Sequence, residues 1–505
     1  MPLVEKNLMK VAILVAVLFA TLVGCKESNF TGKALETTKV PGAPDKANES
    51  DRSEEEPSST ATLDQLIEQS KSVKIPDGPV APDTARLLDQ LCDPDVYGEK
   101  LEKTADGLVE TGDARAAWVI LDRLRLENGY HTSKPLVEAF SKMMNVSIAD
   151  DRKSWRLASN LMIARDIPAP PGYPRWKSAS LSTIDKRFKP FFEDDDANVD
   201  WRLVSWGGVL IDNRAVDKME QPGFRCIPAL TDPQVTDAAN GDWYADDKII
   251  FGVEIDGEAR AYPKNVMEIH EMVNDELGGR RFALPYCTLC GAAQLYYTDK
   301  IADNAQDKDK LPSLPLGRYE LRTSGLLQRS NKFMYELQTW SLFNTFTGEA
   351  VSGPLRVAKV SLPRGSVATM TWGEWKRVHP DTTILASKPP WGKNYAEDPL
   401  GGRDDNGPIF PIGKADGRLP IQEPILGIIK PDGTAIAFPV AESSRRLEKL
   451  EAGDAIEFAD VKVQTSQNGL VVIDANGDEI PSHQAFWFAW SQFHPETRLW
   501  RADSE

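Results

Sequence analysis

Residues 256–263 read DGEARAYP and residues 432–439 read DGTAIAFP, so the frame Asp-Gly-x-Ala-x-Ala-aromatic-Pro occurs twice. Asp-Gly favours a hairpin turn, and the alternating residues after it favour a strand. A second frame, Trp-x2-Trp-x3-His-Pro-acid-Thr, follows each copy at residues 372–382 and 487–497. Two frames that recur in the same order and at fixed internal spacing predict an internally duplicated β unit.

The composition is that of a folded, acidic protein. Its 505 residues suffice for two or three domains, and thirteen tryptophans with 41% hydrophobic residues can build substantial cores. The net charge is −17, and the sequence has no basic stripe that could neutralise phosphates. The sequence therefore predicts no nucleic-acid partner, and protein partners do not follow from it.

Two patterns of apolar residues divide the chain after residue 80. Trp118, Leu121 and Leu124 lie at three- and four-residue spacing, one of several such sets that predict helices over residues 81–167. From Trp201 onward, short apolar stretches alternate with Gly, Asp and Pro turns, which is typical of strands. We therefore expect a mainly β (α+β) body with internally duplicated β units, preceded by a small all-α helical segment.

Shifts in composition set the expected boundaries. Prolines and an acidic run predict a linker after the helices, and the second β repeat is shortened relative to the first. The expected parts are a signal peptide at 1–25, a disordered tether at 26–80 with a short amphipathic stretch at 63–69, a helical segment at 81–167, a linker at 168–200, a core at 201–390, a Gly/Pro-rich linker at 391–420 and the second repeat at 421–505.

The N-terminus has the layout of a secretory signal. Basic residues precede an apolar run at residues 11–23, which is too short to span a bilayer. The run ends in Gly24-Cys25, which resembles a bacterial lipobox and so implies cleavage before Cys25 and lipidation of its sulfur. The alternative is an ordinary signal peptide with an incidental cysteine. We expect an exported protein of the cell envelope whose partner is a membrane, reached through a lipid anchor, and the outer membrane if the cell has two.

Residues 286–293 read YCTLCGAA and contain the one pair of cysteines that stand close together, Cys287 and Cys290. A Cys-x2-Cys pair on a tight turn can share one metal ion or one disulfide. Apolar stretches with strand character flank the pair, so we expect it on a loop between two strands. The motif indicates thiol or metal chemistry without choosing between them.

A histidine that could complete a metal site lies seventeen residues before the first cysteine. His270 and Glu271 fall on an expected short helix, and a Cys2His set with a fourth ligand is typical of zinc or copper. Met334 is either a soft fourth ligand that favours copper or a core residue. Glu271 is an acid or base beside the metal or a surface charge. The first hypothesis is a transition-metal site formed by Cys287, Cys290 and His270. The alternative for His270 is a hydrogen-bonded core residue.

Two other classes of function stay open. An exported Cys-x2-Cys pair can be an oxidised disulfide, either structural or active in thiol–disulfide exchange. The protein can also be a non-catalytic binding module of the cell surface, with the helical segment and the aromatic-rich body as contact surfaces. The sequence shows no Gly-rich phosphate loop, Ser/His/Asp spacing or Rossmann fingerprint, so it does not decide whether the protein is an enzyme.

Ordered motifs run through the body, at residues 227–233, 257–263, 270–275, 286–292, 330–335, 353–355, 371–380 and 486–490. Together they resemble the bacterial family known as domain of unknown function 3179 (DUF3179), over most of residues 225–505. The resemblance implies an exported bacterial protein with a mainly β body, and no activity that can be named. Thr288 stands where the family usually has proline, and residues 302–314 form an insertion; neither change removes a candidate ligand.

Overall fold

A computed structural model describes residues 61–127, 130–151, 153–216, 226–388, 395–402, 407–451 and 453–502. The expected signal peptide, the predicted lipidation site Cys25 and most of the expected tether lie outside these residues. Within the described ranges, no helix combines the length and the apolar character needed to cross a membrane.

Helices precede the β body, as expected. They are α1 Leu63–Ser70, α2 Pro82–Leu91, α3 Glu99–Glu110, α4 Ala117–Leu126, α5 Tyr130–Met144, α6 Ser154–Ala164 and α7 Tyr173–Ser182. Their apolar faces share one core, in which Leu88, Trp118 and Leu161 are buried. The end of the expected tether belongs to this core as well, because Thr62 caps α1 and Leu66 is fully buried.

The prediction of a linker at residues 168–200 was wrong, because much of this stretch is helical and packed. Pro174 lies in the first turn of α7, where the N–H that proline lacks would have no helical partner. A 3-10 helix at Lys186–Phe192 follows, and Trp176 and Phe188 are buried. Proline in this stretch is therefore compatible with the start of a helix and does not mark a linker.

Short strands and helices form the body. The strands are β1 Val204–Trp206, β2 Leu230–Thr231, β3 Val235–Asp237, β4 Ile249–Ile255, β5 Glu258–Pro263, β6 Met272–Leu277, β7 Arg280–Cys287, β8 Ala292–Ala293, β9 Leu295–Tyr297, β10 Leu321–Gln328, β11 Asn331–Glu336, β12 Leu342–Asn344, β13 Ala350–Ser352, β14 Arg364–Gly365, β15 Ala368–Thr371, β16 Thr383–Leu385, β17 Pro424–Ile429, β18 Ala435–Pro439, β19 Ile456–Phe458, β20 Val461–Ser466, β21 Gly469–Ile473, β22 Glu479–Ile480, β23 Ser482–Phe486 and β24 Arg498–Leu499. The helices are α8 Lys264–His270, α9 Pro354–Val357, α10 Trp372–Val378, α11 Val440–Leu447 and α12 Trp487–Phe493.

The strands pair into five small sheets in a propeller-like ring. Their strand orders are β1-β10-β11-β12-β13 in the first sheet, β14-β9-β7-β6-β2 in the second, β15-β4-β5-β16-β3 in the third, β23-β17-β18-β24 in the fourth and β19-β20-β21-β22 in the fifth, with β8 added to β7 of the second. The body is therefore mainly β, as the sequence predicts.

The third and fourth sheets have the arrangement expected of a duplicated unit. In the third sheet, β5 pairs antiparallel with β4 and parallel with β16. In the fourth, β18 pairs antiparallel with β17 and parallel with β24. A short helix connects equivalent strands in each unit: α10 connects β15 to β16, and α12 connects β23 to β24. This shared topology is consistent with the duplication that the repeated frames predict.

The tryptophans of the repeated frames make equivalent contacts in both units. The indole N–H of Trp375 donates to Thr382 Oγ1 at 2.8 Å, and that of Trp490 donates to Thr497 Oγ1 at 2.8 Å. A methyl group added to Gly252, on β4, would lie 2.4 Å from the ring of Trp375. The side chains in the frames therefore fix how each helix packs on its sheet.

The helical part shares its core with the first sheet, because Trp206 and Tyr335 pack in the same cluster as the helices. The expected Gly/Pro-rich linker at 391–420 also packs in part. The backbone N–H of Ile412 donates to Asn160 Oδ1 of α6 at 2.8 Å, and Phe410 is buried. Helices, first sheet and this segment meet at one junction.

Candidate disulfide site

Cys287 and Cys290 lie at the end of a strand, as expected. β7 ends at Cys287, a 3-10 turn covers Thr288–Cys290, and Gly291 has φ +59° before the chain pairs again as β8. A methyl group on Gly291 would also lie 3.0 Å from the ring of Phe486, so both the turn and the packing require glycine here. The two cysteines form a disulfide with their Cα atoms 5.3 Å apart.

The disulfide lies where three sheets meet. Cys287 is 2% exposed and Cys290 is fully buried. Both pack in a cluster that also contains Leu327 of the first sheet and Trp487 of the second repeat. Solvent therefore has almost no access to either sulfur in this conformation.

A strained hairpin turn contacts the sulfurs from the first sheet. Arg329 and Ser330 connect β10 to β11 with φ of 46° and 72°, values that L side chains rarely adopt. Cys290 Sγ lies 2.8 Å from Asn331 Oδ1 and 3.6 Å from the carbonyl oxygen of Ser330. A Cys290 thiol would donate to the Asn331 amide oxygen, so the site contains an acceptor suited to the reduced state.

The hydroxyl of Ser330 is a buried polar group without a partner. Ser330 is 1% exposed, and its Oγ has no hydrogen-bond partner in the part of the chain that the structure describes. An unpaired buried hydroxyl costs about 1–3 kcal/mol. Together with the positive φ, it indicates that this turn retains strain beside the disulfide.

A buried ion pair between Lys332 and Glu271 lies beside the disulfide turn. Lys332 Nζ lies 3.6 Å from Glu271 Oε2 and also donates to the Glu271 carbonyl oxygen, which accepts the Tyr286 N–H at 3.0 Å. Thr288 Oγ1 is 3.5 Å from Glu271 Oε1. Burial lowers the pKa of Lys332 to about 8, against the opposing effect of Glu271. Glu271 thus links the disulfide turn to a buried lysine whose pKa is lowered.

The sequence left Glu271 as either an acid or base beside the site or a surface charge, and it did not single out Lys332. Glu271 caps the C-terminal end of α8 with φ 51° and contacts Lys332 and Thr288, so it lies beside the disulfide turn. Lys332 lies in β11, in which every residue is buried, and it directly precedes the apolar residues Phe333 and Met334. A charged residue next to an apolar stretch of a predicted strand is a signal that could have identified it.

His270 does not join the cysteines, which corrects the first hypothesis. Its Nδ1 is 2.7 Å from the carbonyl oxygen of Pro228, and its Nε2 is 3.0 Å from the hydroxyl oxygen of Tyr395. Burial lowers the pKa of His270 to about 4, although the Pro228 carbonyl opposes the shift. Both ring nitrogens therefore have partners other than a metal ion.

Met334 is a core residue. It is fully buried in an apolar cluster with Met272, Tyr296 and Phe343. Among the described residues, no group of three or more His, Cys, Asp or Glu side chains is arranged to hold a metal ion. The zinc or copper site predicted from Cys287, Cys290 and His270 is therefore unsupported, because the sulfurs are bonded to each other and the imidazole is engaged elsewhere.

Comparison with known proteins gives one result. The family model described as a protein of unknown function (DUF3179) matches residues 225–497, which include both repeats and the disulfide. No curated protein matched the chain, and no solved structure did.

Proposed function

Because the chain belongs to the DUF3179 family, whose description assigns no function, we propose an activity from the site itself: the Cys287–Cys290 disulfide is a two-electron redox centre. The observation that carries the proposal is the contact between Cys290 Sγ and the Asn331 amide oxygen. This oxygen can accept a hydrogen bond from the Cys290 thiol, so the buried site can stabilise the reduced pair as well as the oxidised one.

Stability alone is a weak reason for this disulfide. In the chain-entropy model a disulfide stabilises a fold by restricting the unfolded chain, and a cross-link between residues three apart contributes only about 2 kcal/mol. The two ends of the loop are also held by the pairing of β7 with β8. The cross-link therefore adds little to the architecture, whereas a Cys-x2-Cys pair is well suited to reversible exchange.

The proposed reaction is thiol–disulfide exchange with a low-molecular-weight thiol. The thiolate attacks Cys287 Sγ, the S–S bond breaks, and Cys290 leaves as a thiolate that takes up a proton beside Asn331. A second thiol attacks the mixed disulfide, releases the small disulfide, and leaves the Cys287 thiolate to take up a proton. Two external thiols are thereby oxidised to one disulfide, and the protein gains two electrons and two protons.

The Asn331 contact gives the two sulfurs different roles. Because Asn331 Oδ1 lies 2.8 Å from Cys290 Sγ and can accept a hydrogen bond from its thiol, we assign Cys290 as the leaving group and Cys287 as the sulfur under attack. The reductant must be small, and the turn must open before it reacts. We expect a slow redox switch and not an enzyme that reduces large protein substrates rapidly.

The expected cell-envelope location agrees with this chemistry, since disulfides persist in oxidising compartments. We propose that lipidated Cys25 anchors the protein to a membrane. In the Cys25→Ser variant, cell fractionation should show a body that no longer stays with the membrane fraction. A variant that stays as firmly bound as wild type would contradict the anchor.

Native alkylation tests the redox proposal. The folded full-length chain is incubated with dithiothreitol, quenched in acid and alkylated, and the peptide containing both cysteines is weighed. We expect both sulfurs to become alkylated while far-UV circular dichroism stays unchanged, and to return to the disulfide when dithiothreitol is removed and an excess of oxidised glutathione is added. Reduction that occurs only when the chain unfolds would assign the disulfide a structural role.

A second candidate, a binding module, is favoured by a different part of the molecule. The helical part and the body enclose a cleft that contains the guanidinium of Arg125, which pairs with no carboxylate of the described residues.

A further inference from the structure

A cleft lies at the junction of the helical part and the first sheet. Its volume is about 490 Å³ with the open mouth included, and α4, α6, α7, β1 and Pro411 line it. Junctions between structural parts are common places for ligand sites. The enclosed part of the cleft has room for little more than one water molecule, so only a small head group can enter it.

Arg125 of α4 places its guanidinium in this cleft among three aromatic rings. Its Cζ lies 4.9 Å from the ring centre of Trp155, 5.5 Å from that of Trp206 and 5.4 Å from that of Phe410. Its Nε donates to the carbonyl oxygen of Trp206 at 3.0 Å. These contacts hold the side chain in place. The terminal nitrogens have no protein acceptor among the described residues.

No carboxylate pairs with Arg125 among the described residues. The other cations of the cleft are neutralised: Lys177 pairs with Asp122 at 2.5 Å, and Arg202 pairs with Asp200 at 2.6 Å. Burial lowers the pKa of Arg125 to about 10, which still leaves it charged at neutral pH. The cleft therefore contains one positive charge that the described protein does not compensate.

We propose that this cleft binds a small organic carboxylate, with the carboxylate on the Arg125 guanidinium and an apolar or aromatic tail against the rings at the mouth. A planar carboxylate matches the two terminal nitrogens of a guanidinium in a fork-to-fork arrangement. A tetrahedral oxyanion is bulkier, and the cleft offers it one uncompensated cation.

The ring contacts alone are compatible with two roles for Arg125, a packing residue or a ligand-binding residue. The surrounding cleft distinguishes them. A packing arginine needs no cavity at its terminal nitrogens, whereas the cleft lies open beside Arg125. Arg175 provides the comparison within this chain: it stacks on Trp176 at 4.2 Å but pairs with Asp89 at 3.2 Å and does not line the cleft. Arg125 combines the aromatic contacts with an open, unpaired end.

Tryptophan fluorescence can test the proposal, because Trp118, Trp155 and Trp206 line the cleft. The full-length protein is titrated with benzoate, with benzamide as the neutral analogue and with sulfate as the tetrahedral anion. We expect a saturable change with benzoate that is at least about tenfold weaker with benzamide and with sulfate. An equal response to benzoate and benzamide, or a stronger response to sulfate, would overturn the assignment of a carboxylate site.

Two variants locate the site. Arg125→Gln should weaken benzoate binding by about tenfold or more, and the matched variant Arg175→Gln should bind as wild type does. Equal affinity in Arg125→Gln and wild type would overturn the proposal. If Arg125→Gln does not fold by circular dichroism, Arg125→Lys serves in its place. It keeps the charge, loses the two-pronged geometry, and should bind benzoate several-fold more weakly; unchanged binding in this variant would contradict the proposal equally.

Discussion

At the scale of single residues, the disulfide site depends on three side chains from two neighbouring sheets. Cys290 contacts Asn331, and the Lys332–Glu271 pair fastens the strand of Asn331 to the strand that ends at Cys287. The two contacts have different roles. The amide oxygen can accept a hydrogen bond from the Cys290 thiol, and the ion pair holds the hairpin turn against the sulfurs. Two substitutions separate these roles.

Asn331→Leu should make the pair harder to reduce. The amide oxygen stabilises the Cys290 thiol and not the disulfide, so its loss removes about 1 kcal/mol from the reduced state. The reduction potential should become more negative by about 20 mV. Asn274→Leu is the control, because the amide of Asn274 bonds the backbone of Leu321 at 3.0 and 2.9 Å and no sulfur. The same shift in both variants would show that Asn331 does not act on the thiol.

Lys332→Met should remove a pH dependence of stability. The folded-state pKa of Lys332 is about 8, below its ordinary value of 10.5, so between these pH values the unfolded chain holds a proton that the folded chain has lost. Wild-type stability therefore gains from this group as pH rises above 8, by about 1.4 kcal/mol per unit. Below pH 8 both states hold the proton, and the cost of the buried charge is constant.

Urea denaturation of both proteins at pH 7 to 10 measures this effect. Burial raises the pKa of Cys92 and of several tyrosines, so these groups make the folded state less stable as pH rises. Their effect is the same in the wild type and the variant, so the quantity to follow is the difference between the two free energies of unfolding. We expect this difference to change steadily above pH 8. A difference that stays constant from pH 7 to pH 10 would contradict the lowered pKa of Lys332.

At the scale of elements, the repeated frames fix two equivalent sheet–helix units. The identical spacing of the frames made them visible in the sequence. In the structure the same positions pair β5 with β16 through Ala261 and β18 with β24 through Ala437. The equivalence extends to a glycine in each unit that is not part of either frame.

Alanine at Gly252 and at Gly427 should destabilise the two units alike. An added methyl group would lie 2.4 Å from the Trp375 ring and 2.3 Å from the Trp490 ring, which neither fully buried indole can accommodate without a shift. We expect each variant to lose about 1–3 kcal/mol of unfolding free energy in urea. Gly417→Ala is the control, since nothing lies within 4 Å of its added methyl group. A loss at only one of the two glycines would argue against equivalent packing.

At the scale of the whole molecule, the sequence predicted the helical part, the β body and the repeated unit, but not the ring of five sheets. Local patterns determine helices and hairpins, whereas the ring depends on pairings between distant strands such as β1 with β10. The same limit explains the error at His270. Its partners Pro228 and Tyr395 are 42 and 125 residues away, and no local spacing indicates them.

The whole-molecule arrangement also explains why the disulfide should act as a slow switch. The cluster around the sulfurs contains side chains of the first sheet, the second sheet and the second repeat. A thiol can therefore reach the sulfurs only if the packing between sheets is disturbed, and the movement of one loop is not enough. Reduction should be gated by that opening.

An equilibrium redox titration of Cys287 and Cys290 tests the proposed function most directly. The folded chain is equilibrated in dithiothreitol and glutathione buffers of graded potential, quenched in acid and alkylated, and the fraction of reduced Cys287–Cys290 peptide is determined by mass spectrometry. We expect a single two-electron transition between about −270 and −120 mV, the range of proteins that exchange disulfides. A midpoint below about −300 mV, the range of structural disulfides, would contradict the redox centre.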